Sequence, residues 1–95
     1  MNETELTKKI VAAIRREYLG AYVRKNHGNV YQVRGRPDLE VLWQGINIWL
    51  EVKVPGKVAS PSQAAEGREI GRARGAWYVV DSVVGALQAC ADQFS

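Results

Sequence analysis

Cysteine and histidine are nearly absent from this chain. Cys90 and His27 stand alone among 95 residues. A lone cysteine closes no internal disulfide, which fits a reducing cytoplasm. One histidine and one cysteine make no conventional zinc site, so any bound metal must be held by oxygen ligands. No apolar run approaches the roughly 20 residues that a membrane helix needs. The N-terminus is polar and acidic at Glu3 and Glu5, so no signal peptide is expected. A cytoplasmic location without membrane attachment is the expectation. Charge of one sign is also scarce: the net value is +3, too mild to name a partner by itself. Repeats, low-complexity segments and linkers are missing. Residues 1–95 therefore read as a single small domain with a core marginal enough to make a partner chain plausible.

What is present follows a clear order. Asn2 reads as an N-cap with Glu5 at the N3 position of a capping box, opening a helix that runs to about Leu19. Gly20 ends it. Residues 21–24 read as a short strand, Asn26 to Asn29 as a turn containing the polar His27, and the basic stretch from Val30 to Arg36 as a loop or irregular strand. Strands are predicted at about 38–43 and 47–54, with Pro55-Gly56 breaking the second. Ser60-Pro61-Ser62-Gln63 is a strong helix start, with Ser60 at the N-cap, Pro61 at N1 and Gln63 at N3. That helix is expected to run to about Arg74, to be ended by Gly75, and to lie close to a sheet through Ala64, Gly67 and Gly71. Trp77 to Val80 reads as a strand. Asp81 or Ser82 caps a last helix with Val83, Leu87, Cys90 and Phe94 on one stripe. The order is α-β-β-β-α-β-α.

Chemistry concentrates in the central hairpin. If the strands turn at Gln44-Gly45, then Trp43 faces Ile46, Val41 faces Ile48 and Leu39 faces Leu50, all on one apolar face. On the other face Asp38 falls opposite Glu51, and Lys53 shares that face two residues on. Opposed residues hold their Cβ atoms about 5 Å apart, where two like charges repel. A cation would neutralise the pair. Asp38 and Glu51 are thus candidate metal ligands, with the Val52 carbonyl as a third, and Mg²⁺ suits such oxygen donors. Lys53 would face the attacking water or a scissile phosphate. The bland alternative is surface alternation, with Glu51 and Lys53 facing solvent on a half-buried strand. Trp49 falls beside Glu51 on that face. Tyr22, Trp43 and Trp77 are expected in the core or an interface, and Cys90 as core filler.

Four blocks carry a resemblance: Gly35-Arg36-Pro37-Asp38-Leu39, Leu50-Glu51-Val52-Lys53, Ser60-Pro61-Ser62-Gln63 and Gly75-Ala76-Trp77-Tyr78-Val79-Val80. In this order they resemble the VRR-Nuc domain, a branch of the PD-(D/E)XK nuclease superfamily, over nearly the whole chain. The resemblance implies an α/β restriction-endonuclease-like core with a mixed sheet flanked by helices. It implies metal binding by Asp38 and Glu51 and action of Lys53 on water. It adds a glutamate on the first helix near the metal, for which Glu3 matches better than Glu5, whose simpler role is helix capping. It also brings Gln63 near the site, where phosphate or water contact competes with capping. Small stand-alone relatives, common in phage and bacterial genomes, resemble single-domain dimeric Holliday-junction resolvases.

The expected activity is therefore metal-dependent, structure-specific endonucleolytic cleavage of branched DNA, foremost four-way junctions, with Mg²⁺ or Mn²⁺ and no organic cofactor. Arg34, Arg36, Lys25 and Lys57 are the candidate phosphate contacts around the acidic centre. A homodimer is expected, with Trp77, Val84 and Phe94 as candidate interface residues. The alternatives are a monomeric nuclease cutting flaps or ends and a non-catalytic DNA-binding module.

Overall fold

The computed structural model describes residues 1–26 and 35–95. His27, Arg34 and most of the expected turn and basic stretch lie outside them. Seven elements follow in order: α1 (Glu3–Glu17), β1 (Tyr22–Lys25), β2 (Leu39–Trp43), β3 (Ile46–Val52), α2 (Pro61–Arg72), β4 (Ala76–Val80) and α3 (Val83–Phe94). This is the α-β-β-β-α-β-α order read from the sequence.

Local chemistry sets the ends of these elements. The Asn2 side chain accepts the Glu5 N–H at 2.8 Å, so Asn2 caps α1. The helix stops short of Leu19 because Tyr18 leaves helical geometry, although its N–H still reaches the Ile14 carbonyl at 2.8 Å. Its ring packs edge-on against Trp43 and Phe94, with centroids 5.0 and 5.2 Å away. Ser60 and Gln63 form a complete capping box at the start of α2. The end of α2 differs from expectation. The left-handed residue after it is Arg74 (φ 67), not Gly75. Gly75 is required for space instead: a Cβ there would lie 2.6 Å from Ile70 Cγ2 and 2.9 Å from Trp49.

The sheet runs β1-β2-β3-β4. β1–β2 and β2–β3 are antiparallel, and β3–β4 are parallel, with α2 in the crossover connection. The hairpin has the expected register: Trp43 with Ile46, Val41 with Ile48, Leu39 with Leu50. Gln44 (φ 49) and Gly45 (φ 82) are both left-handed, the two-residue turn whose twist matches that of the strands.

Alternation then divides the sheet. Leu39, Val41, Ile48, Leu50, Val52 and Val80 are buried with Leu6, Ile10 and Ile14 of α1 and with Ala86, Ala89, Cys90 and Phe94 of α3. Burial pushes the Cys90 thiol up to about 11, as befits a filler of apolar space. Trp49, Glu51 and Trp77 fall on the other face by alternation. There α2 approaches so closely that a Cβ on Gly67 would stand 2.5 Å from the Trp77 ring. Gly71, expected to share this role, faces open space. Trp49 belongs to this second packing layer, against Gly75, rather than to an open polar face.

Two expected interface residues are claimed by the fold. Phe94 is buried in the aromatic cluster, and Trp77 is half-buried against α2. Val84 is exposed, as is Val79 on β4. Tyr22 lies exposed on the edge strand β1 rather than in the core. No helix among the described residues is long and apolar enough to cross a membrane.

Candidate active site

The site forms where β2 and β3 part. A two-residue turn closes on a hydrogen-bonded pair, and such pairs recur at every second position. After Trp43/Ile46, Val41/Ile48 and Leu39/Leu50, the next would be Pro37/Val52. The pairing ends instead at Leu39/Leu50. Proline has no N–H to give the Val52 carbonyl. The Val52 N–H donates to Asp38 Oδ2 at 2.8 Å instead of to the Pro37 carbonyl. The Pro37 carbonyl accepts from the Asn26 side-chain amide, also at 2.8 Å. Asp38 thus lies one step beyond the strand and is not the ladder partner of Glu51. The expected direct opposition gives way to a fork in which side chains take the freed Val52 N–H and Pro37 carbonyl.

Two features hold the approach to Asp38. Pro37 is fully buried. Gly35 (φ 86) lies against the Ser62 carbonyl with no room for a Cβ, joining this segment to the first turn of α2. From the other side, the Asn26 N–H donates to the Asp38 carbonyl at 2.8 Å, extending the β1–β2 pairing by one step.

Glu51 is fully buried, which removes the surface-alternation alternative. Neither of its oxygens has a hydrogen-bond partner among the described residues. Lys53 Nζ lies 3.7 Å from Oε2, an ion pair without a formed hydrogen bond. The Glu51 carboxyl is pushed up to about 8. Burial is the main cause and the neighbouring Asp38 carboxyl the next. Lys53 pulls it back, and Glu3 adds a weaker push upward. A cleft of about 210 Å³ opens beside Asp38, bordered by Glu3, Thr7, Lys8, Lys25 and Asn26. Among the described residues no group of three His, Cys, Asp or Glu side chains is arranged as a metal cage. The oxygen donors are the Asp38–Glu51 pair and the backbone.

Among solved structures, a chain described as "VRR_NUC domain" superimposes with a TM-score of 0.71. It is 22% identical, and the match covers 93% of this chain and 96% of that one. The fold is that of a VRR_NUC domain. No protein-family model matches the sequence. No curated protein sequence matches it either.

Within this VRR_NUC fold, the residues singled out by sequence are placed unequally. Asp38, Glu51 and Lys53 are brought together. Glu3 borders the cleft and acts on Glu51, whereas Glu5 is exposed and engaged through its N–H in capping. Gln63 is committed at its carboxamide oxygen, which accepts the Ser60 N–H at 2.8 Å. Lys25 borders the cleft, Arg36 is exposed with Nε 3.8 Å from Glu40 Oε1, and Lys57 is exposed beyond β3. Arg34 lies outside the described residues.

Sequence reasoning missed Asn26 and Lys8. Lys8 sits one turn beyond Thr4 on α1, as Thr7 sits one turn beyond Glu3, and these four residues border the same cleft. Asn26 gave no such signal, because its partners are remote in sequence.

Proposed function

We propose that this chain is a metal-dependent, structure-specific endodeoxyribonuclease that hydrolyses phosphodiester bonds in branched DNA, with four-way junctions as its main substrate. The observation that carries this reading is Glu51: a buried carboxyl beside a second one, with Lys53 near one oxygen but no hydrogen bond to either among the described residues. Leaving a buried charge in that state is costly, and a divalent cation relieves the cost. The VRR_NUC fold supports the same reading.

The residues fit Mg²⁺ or Mn²⁺. Asp38 and Glu51 would supply carboxylate oxygens, and the Val52 carbonyl, to which Pro37 has no N–H to give, a third. When bound, the ion offsets charge on the scissile phosphate and makes an attacking water easier to deprotonate. Lys53 orients that water and stabilises negative charge as it builds on the phosphoryl oxygens. Glu3, at the edge of the cleft, tunes the field at Glu51. The Gln63 amide nitrogen, the end of the side chain that capping does not use, offers a donor to the phosphate. Lys25, Arg34, Arg36 and Lys57 hold flanking phosphates without reading sequence.

We further propose that the protein works as a homodimer of this single domain in the cytoplasm of a bacterium or of a phage-infected cell. One site cuts one strand, and resolving a four-way junction takes two symmetric cuts. The decisive test is cleavage of a labelled four-way junction beside a flap and a linear duplex, with Mg²⁺, Mn²⁺ or chelator. Paired, metal-dependent junction cuts are expected. No cleavage of any DNA under all conditions would favour the non-catalytic binding module.

A further inference from the structure

We propose that Asn26 is a positioning residue for the metal-binding carboxylate Asp38. The proposal rests on the metal-dependent reading above and adds a residue that acts through Asp38 rather than touching substrate.

The geometry is that of the fork. Where β2 leaves β3, two carbonyls flank the Asp38 Cα, its own and that of Pro37. Asn26 takes both: its N–H donates to the Asp38 carbonyl and its Nδ2 to the Pro37 carbonyl, each at 2.8 Å. A third bond, from the Val52 N–H, fixes the carboxylate itself at 2.8 Å. Asn26 therefore sets the peptide planes on either side of Asp38, and Val52 sets the side chain. Asparagine is suited to this position because a backbone N–H and a short amide can reach two successive carbonyls of the neighbouring chain. Aspartate has no side-chain donor, and serine is too short to span the gap. Asn26 Nδ2 also lies 3.5 Å from Glu40 Oε1, and Glu40 is approached by Arg36, so the amide is held in turn from its outer side.

Asn26 borders the same cleft as Asp38. Its Oδ1 is buried and has no partner among the described residues. Residues that orient metal ligands are worth roughly 10- to 100-fold in metal affinity. That is the size of effect assigned to Asn26.

The test is Mn²⁺ titration by calorimetry, without DNA, into the wild type, Asn26→Ala, Asp38→Asn and Ser82→Ala. Ser82 caps α3 through the Gly85 N–H and serves as a destabilised control away from the fork. Amide hydrogen exchange at Val52 and Leu50 is measured alongside. Asn26→Ala is expected to stay folded and to bind Mn²⁺ about 10- to 100-fold more weakly. It should lose protection at the Val52 amide while keeping it at Leu50. Ser82→Ala should bind as the wild type does. Wild-type affinity and Val52 protection in Asn26→Ala would overturn the proposal. If Asn26→Ala does not fold, Asn26→Ser is measured in its place; failure of both to fold would make Asn26 a scaffold residue and overturn it too. A wild type that takes up no Mn²⁺ removes the metal reading itself. That result is distinct from Mn²⁺ uptake abolished in Asp38→Asn but untouched in Asn26→Ala.

Discussion

Asp38 Oδ2 accepts the backbone N–H of Val52 at 2.8 Å, at the point where β2 and β3 separate. This one bond does two things. It satisfies a donor that the ended ladder would otherwise strand, and it holds a carboxylate beside the buried carboxyl of Glu51. The carboxyl pair is therefore a product of strand topology: Pro37 cannot pair, the ladder stops, and the side chain of the next residue fills the gap.

Removing either charge of the pair should separate folding from activity. Asp38→Asn and Glu51→Gln are expected to abolish metal-supported cleavage while circular dichroism stays native. Lys53→Ala should be equally inactive, yet still take up Mn²⁺ in a calorimetric titration. Full cleavage by either carboxamide variant would sink the site assignment. Loss of Mn²⁺ binding in Lys53→Ala would give that residue a different role.

The raised Glu51 carboxyl makes the metal-free protein sensitive to pH. Its folded value of about 8 lies above the ordinary 4.5. Between these values the folded state keeps a proton that the unfolded state has lost, so stability falls as pH rises. The melting temperature without metal should decline from pH 4.5 towards 8. Glu51→Gln should flatten that decline, and added Mn²⁺ should lift the alkaline end. An unchanged slope in Glu51→Gln, followed by scanning fluorimetry with chelator present, would show that another group sets it.

Much of this fold was legible in the sequence, for identifiable reasons. The hairpin register followed from Gln44-Gly45, because a two-residue turn fixes the pairs behind it as far as the ladder runs, here to Leu39 and Leu50. The start of α2 followed from Ser60-Pro61-Ser62-Gln63, whose capping is local. Alternation placed Glu51 on a face but said nothing of what covers that face, so its complete burial was not legible. The stripe holding Cys90 and Phe94 was read correctly as one side of a helix. Only the packed structure shows that Phe94 meets Tyr18 and Trp43 rather than another chain. Asn26 escaped because its side chain bonds a carbonyl 11 residues away. Turn propensity explains its neighbourhood without that contact.

Phosphate binding should show itself through salt. DNA affinity is expected to fall linearly with salt on a double-logarithmic plot. Arg36→Ala and Lys25→Ala should each weaken binding alike across sequences and reduce the slope by about one unit. Fluorescence anisotropy with a catalytically dead variant gives the measurement. An affinity indifferent to salt would point to a ligand other than nucleic acid.

The middle of α2 and the residue just past its C-terminal end should respond in opposite directions to small changes. Arg74 holds φ 67, a conformation costly for side-chain-bearing residues. Arg74→Gly should therefore stabilise the protein by about 0.5–1 kcal/mol. Gly67→Ala would push a methyl group into the Trp77 ring and should destabilise by about 1–3 kcal/mol. Urea unfolding of the two variants tests both signs. A neutral Gly67→Ala would mean that α2 slides on the sheet at little cost.

The dimer prediction rests on what the fold leaves uncovered. β4 is an edge of the sheet, and an edge strand presents unpaired backbone groups that another chain can use. On this strand Val79 is 44% exposed, and Val84, at the start of α3, is 65% exposed. A two-fold contact through this side would cover both valines and unite two small cores. It would also present two Asp38/Glu51/Lys53 sites in the symmetric relation that paired cuts across a junction require. Charge introduced there, as in Val79→Lys with Val84→Asp, should yield a monomer that binds Mn²⁺ normally but no longer makes paired cuts. Light scattering at micromolar concentration, run beside the junction assay, reads both halves of that prediction. A wild-type monomer that cuts flaps and leaves four-way junctions whole would overturn the dimeric resolvase and establish the flap nuclease in its place.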